Sequence, residues 1–258
     1  MSKVLSGDSA INQAARDLIL VLADSKRLLG TRYAEWILGA PELETGIACA
    51  SMAQDEWGHA RLLYALLKEF GEDVDRLEHG REPAEYSSME PLDQSPTTWP
   101  EFVAINALVD TALTVQLRAL TESSYGPLRQ RVGKLIDEER FHEAHAMAWS
   151  RRLATSAEAS SAFTAAVQRV LPVVLRWFGP AVGDAGAHGL MAGNADQLRD
   201  AFMAAITPVL ENVRSIDRSA ALDFGNFDSR TRRTPGTTPD ADTIARVRGD
   251  KNRAFLMD

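Results

Sequence analysis

Glu56 and His59 stand three residues apart in the stretch AQDEWGHARLL (residues 53–63), and the spacing recurs at Glu139 and His142 in IDEERFHEAH (residues 136–145). Positions i and i+3 share one face of a helix, so each pair can aim a carboxylate oxygen and an imidazole nitrogen at one point. A lone Glu-x-x-His is a weak signal. Two of them are mildly surprising and no more, although a Glu-x-x-His on each of two helices is half of the pattern that carries paired metal ions in a helical bundle. Oxygen and imidazole donors without thiolates suit iron or manganese, and reduced iron with an open coordination position can activate dioxygen.

The elements that must position these residues are helices. From Ala10 to Leu38 apolar residues recur at three- and four-residue steps (Leu18, Val21, Leu22, Leu28, Leu29, Tyr33, Trp36, Ile37), with Asp8 or Ser9 available as N-cap. Gly39 and Pro41 break that helix, and Pro41 is placed to open a second one running to Phe70 before Gly71. Residues 72–98 are polar and proline-bearing and read as a long crossover without regular structure. A third helix is expected over Pro100–Ser123, a turn at SYGP (residues 124–127), and a fourth helix to Ala154. Two hairpins joined by one long crossover is the layout of an all-α, ferritin-like four-helix bundle. Ala157–Phe178 and Ala195–Val213 add further helices, while Asp228–Pro239, rich in Thr, Pro and Arg, reads as extended or mobile. The expected organisation is one helical domain over residues 1–225 and a tail over 226–258, extended and then a short helix.

Level along the helices tests whether the two pairs can meet. Glu56 lies fifteen residues beyond Pro41, and Glu139 lies almost as far beyond the second turn. At ~1.5 Å per residue, both stand roughly 22 Å from their turns and can share a layer. Counted backwards from the same turns, the partner helices place Asp110 and Lys26 in that layer. Asp110 sits in the apolar run INALVDTALTVQL, where a metal would compensate a charge that is expensive to bury. Lys26 stands where the dimetal pattern calls for a glutamate. Asp24 points about 200° away from it and Glu35 lies on the opposite face, so the first helix offers no substitute.

Composition bounds the function classes. With 258 residues and a 45% hydrophobic share the chain can bury a sizeable core. The net charge of −8 gives no support to nucleic-acid binding, and the basic stretch SRTRRTPG (residues 229–236) reads as a solvated loop. No apolar run approaches a membrane span and the N-terminus lacks the apolar core of a secretory signal, so a cytoplasmic protein is expected. The single cysteine, Cys49, excludes an internal disulfide and a multi-cysteine zinc site and reads as a small buried hydrophobe.

The stretches QDEWGH, LVD, SYGP and EERFH closely resemble the oxygenase subunits of the phenylacetyl-coenzyme A epoxidase system. AEWILGAPELE resembles that family's non-catalytic companion subunit, and the likeness covers residues 15–150. The resemblance implies that Glu56, His59, Asp110, Glu139 and His142 are metal ligands and that the first-helix glutamate has become Lys26. It also implies oxidation of an acyl-coenzyme A or aromatic substrate, with electrons from a separate reductase, since no flavin or nicotinamide fingerprint is visible. Lys26 would then tune charge or proton delivery, replace one metal electrostatically, or restore the bridge as a carbamate.

Blander readings accompany each residue. Glu56, His59, Glu139 and His142 could form a buried salt-bridge layer that fixes helix register. Asp55 and Glu138 read equally as acceptors for the histidines' second ring nitrogen or as solvated residues. His145 reads as a neighbour of the ligands or as surface, Trp36, Trp57, Phe141 and Trp149 as core aromatics, and His79 and His188 as loop residues. Two other function classes remain in view: a structural protein that pairs with a catalytic homologue through the AEWILGAPELE face, and a ferritin-like iron-handling protein. Bundles of this kind associate through exposed faces, so a homodimer or a heteromer is expected.

Overall fold

The computed structural model describes residues 9–180, 189–216 and 221–250; Asp8 and His188 lie outside the described residues. In chain order the helices are α1 (Ser9–Glu35), α2 (Leu43–Leu67), α3 (Val74–His79), α4 (Trp99–Ile105), α5 (Thr111–Arg118), α6 (Gly126–Leu153), α7 (Ala157–Trp177), α8 (Ala195–Leu210) and α9 (Ala241–Arg248). Among the described residues there is no strand, and the all-α, ferritin-like class expected from the sequence is the one found. One hairpin is α1–α2, the other is α4 and α5 with α6, and a long crossover lies between them in the chain. No helix of the described residues is long and apolar enough to cross a membrane. The chain divides into two compact units, Met1–Ser95 with Arg233–Asp258, and Pro96–Arg232.

In the first unit, α1 buries Leu18, Val21, Leu22, Leu28, Leu29 and Tyr33, as its periodicity requires. Successive crossings between the two helices run in opposite directions along the chain. The Tyr64 hydroxyl donates to Asp24 Oδ1 at 2.5 Å, Lys26 meets Glu56, and Gly30 faces Ala53 and Trp57. The hairpin is therefore antiparallel. A Cβ at Gly30 would stand 2.6 Å from Trp57 Cδ1 and 3.1 Å from the Ala53 carbonyl oxygen, so only glycine allows this approach. α2 starts at Leu43 rather than Pro41, continues as a 3₁₀ turn over Lys68–Phe70, and stops at Gly71, whose φ of 82° is left-handed.

The crossover corrects the sequence reading. It is not structureless: α3 is capped by Asp73, which accepts from the Arg76 amide at 3.1 Å, and 3₁₀ turns form at Pro83–Glu85 and Glu90–Leu92. His79 accordingly ends a helix instead of lying in a loop. Polar side chains buried on α1 organise this segment. Asp24 accepts from Arg81 Nη1 at 2.9 Å and from the Ser87 amide at 2.7 Å, Ser25 Oγ accepts from the Met89 amide at 3.0 Å, and Arg32 Nη2 donates to the Leu92 carbonyl at 2.8 Å. The Arg81 guanidinium also lies 4.0 Å from the Tyr86 ring centroid. Arg233, from the stretch expected to be a solvated loop, is buried and holds Asp93, with Nη2 at 2.6 Å from Oδ2. The Asp240 amide donates to the Asp93 carbonyl at 3.0 Å, and α9 follows directly.

In the second unit the expected third helix is interrupted. α4 passes into a fully buried π-helical turn, Asn106–Asp110, before α5 resumes, and α5 ends at Arg118 instead of Ser123. SYGP makes the expected turn, with Pro127 in the first turn of α6. α7 packs against α4 and α8 against α5, and together they bury Phe163, Val167, Val174, Trp177, Phe202 and Ile206. Arg232 joins this core: its Nη1 donates to Gln116 Oε1 at 2.8 Å, its guanidinium lies 4.8 Å from the Trp177 ring centroid, and burial pushes its pKa down to about 10. Among the aromatics expected in the core, Trp149 is buried, Trp36 and Trp57 are half-buried, and Phe141 is 75% exposed. Phe141 follows Glu139 by two residues, about 200° around the helix, so a buried Glu139 turns it outward.

Candidate metal centre

Both Glu-x-x-His pairs continue the apolar stripe of their helix. On α2 the buried positions include Cys49, Met52, Glu56, His59 and Leu63; on α6 they include Leu128, Val132, Leu135, Glu139, His142, Ala146 and Trp149. Spacing that would bury leucines buries these carboxylates and imidazoles instead. Cys49 has no exposure, and burial pushes its thiol up to about 12, as befits a small inert hydrophobe.

In the first unit Lys26 occupies the same kind of position on α1, between Leu22 and Leu29. Its Nζ donates to Glu56 Oε1 at 2.9 Å, with both side chains fully buried. A charge-assisted bond of this length in a dry surround is strong. Asp24, two residues earlier, turns to Tyr64 and Arg81, and Glu35 pairs with Arg32 at 2.6 Å. Both carboxylates are thus engaged elsewhere in the first unit.

In the second unit Asp110, Glu139 and His142 converge. His142 Nδ1 stands 2.9 Å from Asp110 Oδ2 and 3.5 Å from Glu139 Oε2, and Thr114 Oγ1 donates to Glu139 Oε2 at 3.2 Å. Each of the three residues is at most 3% exposed, and their donor atoms lie within 4.8 Å of one another. Two donors bound to one ion at ~2.1 Å and at right angles to each other stand roughly 3 Å apart, so this spacing fits the edge of a coordination polyhedron. Two carboxylates and an imidazole fit a borderline-to-hard divalent cation such as iron or manganese, with His142 presenting Nδ1. Asp110 closes the π-helical turn, and its place there aims the carboxylate at α6.

Thr114, one turn after Asp110, is absent from the residues the sequence singles out; a hydroxyl in a buried helix has no signature of its own. Glu138 lies 3.8 Å from Lys134, Asp55 is half-buried, and His145 stands edge-on to Trp99 with ring centroids 6.3 Å apart. Burial, with His142 nearby, lowers the His145 pKa to about 4, so the ring is neutral.

A family model described as phenylacetic acid catabolic protein matches residues 5–216 of the chain. One component of the 1,2-phenylacetyl-CoA epoxidase of Escherichia coli (strain K12) is 32% identical over 150 residues, which cover 56% of this chain and 47% of that protein. Another component of the same enzyme is 29% identical over 143 residues, covering 55% of this chain and 58% of that protein. The chain thus spans about half the length of the curated relatives it matches.

Proposed function

Because the chain belongs to the phenylacetic acid catabolic protein family, we propose that it is an oxygenase-type protein that binds iron through Glu56, His59, Asp110, Glu139 and His142 and oxidises an acyl-coenzyme A or aromatic substrate. The observation that carries this reading is the buried convergence of Asp110, Glu139 and His142, in a donor set made only of oxygen and nitrogen. Reduced iron bound there would supply the electrons that activate dioxygen, replenished by a separate reductase. The protein's own residues do the rest. Thr114 orients the Glu139 carboxylate by donating to Oε2, and the buried surround excludes water from the donors. Lys26 holds a proton on Nζ within reach of Glu56 Oε1 and so sets the charge and the proton supply at that carboxylate. Anaerobic reconstitution with ferrous iron, followed by phenylacetyl-coenzyme A, a reductase and oxygen, tests the reading. Bound iron and an oxygenated product support it; a folded protein that binds no iron overturns it.

A second reading, a structural protein that pairs with a catalytic homologue, is favoured by one feature. At the tip of the first hairpin Leu38 is 97% exposed, Leu43 77% and Ile47 62%, within the AEWILGAPELE face and the start of α2. Large apolar side chains gathered at one exposed turn mark an association surface.

A further inference from the structure

We propose that the first unit carries a binding site for a phosphate-class oxyanion, built by Arg27 of α1, Tyr86 of the crossover and Arg248 at the end of α9. All three residues belong to that one compact unit, and none of them takes part in the metal-binding reading above. Arg27 Nε, Tyr86 Oη and Arg248 Nε are buried atoms without a hydrogen-bond partner among the described residues. Buried polar atoms are nearly always satisfied, so orphans on neighbouring elements point to a group that completes them.

Hydrogen bonds gather the three at one place. Arg27 Nη2 donates to the Val247 carbonyl at 3.0 Å, which sets its guanidinium beside the residue before Arg248. Arg248 Nη2 reaches back to the crossover and donates to the Arg81 carbonyl and, at 2.9 Å, to Glu82 Oε1. Tyr86 lies four residues beyond Glu82, with the Arg81 guanidinium stacked on its ring. Burial raises the pKa of the Tyr86 hydroxyl, while the charges of Arg81, Arg248 and Arg27 pull it down, so all three guanidinia bear on that one oxygen.

Charge defines the ligand. Asp24 is taken by Arg81, Tyr64 and the Ser87 amide, and Glu82, the partner of Arg248, is 74% exposed. Arg27 has no carboxylate partner among the described residues. Two guanidinium donors and a phenol therefore call for an acceptor that brings negative charge. A water molecule offers two lone pairs to three donors and brings none. An oxyanion meets all three and gains the strength of charge-assisted bonds to arginine. A tetrahedral phosphate spreads its oxygens towards donors on three separate elements, whereas a carboxylate holds its two in one plane. The Arg248 side chain is 21% exposed, which leaves an approach from solvent.

The test is calorimetric titration of the full-length protein with inorganic phosphate, coenzyme A and dephospho-coenzyme A. One phosphate per chain is expected, with affinity falling at least about tenfold in Arg27→Gln and in Arg248→Gln and about threefold or more in Tyr86→Phe. Arg61→Gln, which removes an exposed charge from α2, should change it by less than about twofold. Tighter binding of coenzyme A than of its dephospho form makes the ligand a phosphate carried on a larger molecule, and binding of inorganic phosphate alone makes it a free anion; both uphold the site. Absence of saturable binding, or binding that both arginine variants leave unchanged, overturns it and leaves the iron-binding reading standing. Should the arginine variants fail to fold, Tyr86→Phe decides, because it removes one oxygen and keeps the packed ring: unchanged affinity there overturns the site.

Discussion

A buried lysine held by a buried glutamate is difficult to alter on one side alone. Lys26→Met leaves the Glu56 carboxylate without its ammonium in a dry site, and we expect a loss of about 3 kcal/mol or more in urea unfolding. Lys26→Met with Glu56→Leu should recover most of that, because a well-packed apolar pair replaces the ion pair without stranding a charge. His145 makes the pH dependence local. Its pKa falls from 6.5 to about 4 on folding, so between those values the unfolded chain binds more protons than the folded one. Its contribution is therefore full above pH 6.5 and is lost as the pH falls towards 4. The expected loss between pH 6.5 and pH 5 is about 1.5 kcal/mol, absent in His145→Leu, measured by urea unfolding at the two pH values. At this scale the sequence is most readable where chemistry is dense. Spacing and level single out Asp110, Glu139 and His142, and the structure brings these three together. Phe141 misleads because its apolar character outweighs its angle from Glu139, and Thr114 escapes notice because its role depends on a neighbouring helix.

Helices follow the periodicity that predicts them, and their interruptions do not. The π-helical turn at Asn106–Asp110 leaves no mark in an apolar pattern, since every residue in it is buried and any local winding would bury them. The crossover looks unstructured in the sequence because its order comes from elsewhere in the chain, from Asp24, Ser25 and Arg32 on α1. Arg81→Met should therefore release the crossover: Asp24 loses its cation, and limited proteolysis should cut between residues 72 and 95 at least about tenfold faster while α1 and α2 stay protected. Gly30 tests the hairpin. Gly30→Ala should cost about 1–3 kcal/mol in thermal or urea unfolding, since the methyl would overlap Trp57, and Gly30→Ala with Trp57→Leu should regain part of it.

For the molecule as a whole, the family and the pair of hairpins are legible in the sequence, whereas the packing of residues 233–248 with the first hairpin is not. That packing includes the pair of Arg233 and Asp93, 140 residues apart, and no local pattern announces a partner at such range. The exposed leucines at the hairpin tip carry a prediction at this scale. Leu38→Asp with Leu43→Asp should leave the fold and the metal content unchanged and abolish association, whether with a second copy or with a homologous partner, as read by light scattering after size exclusion. The contact between Lys26 and Glu56 has a consequence for how such a chain arises and changes. The codons for lysine and glutamate differ in a single base, so one transition in the gene inverts the charge at this position. A lineage can thereby exchange the cation at this position for a carboxylate in one mutational step, without passing through a neutral residue.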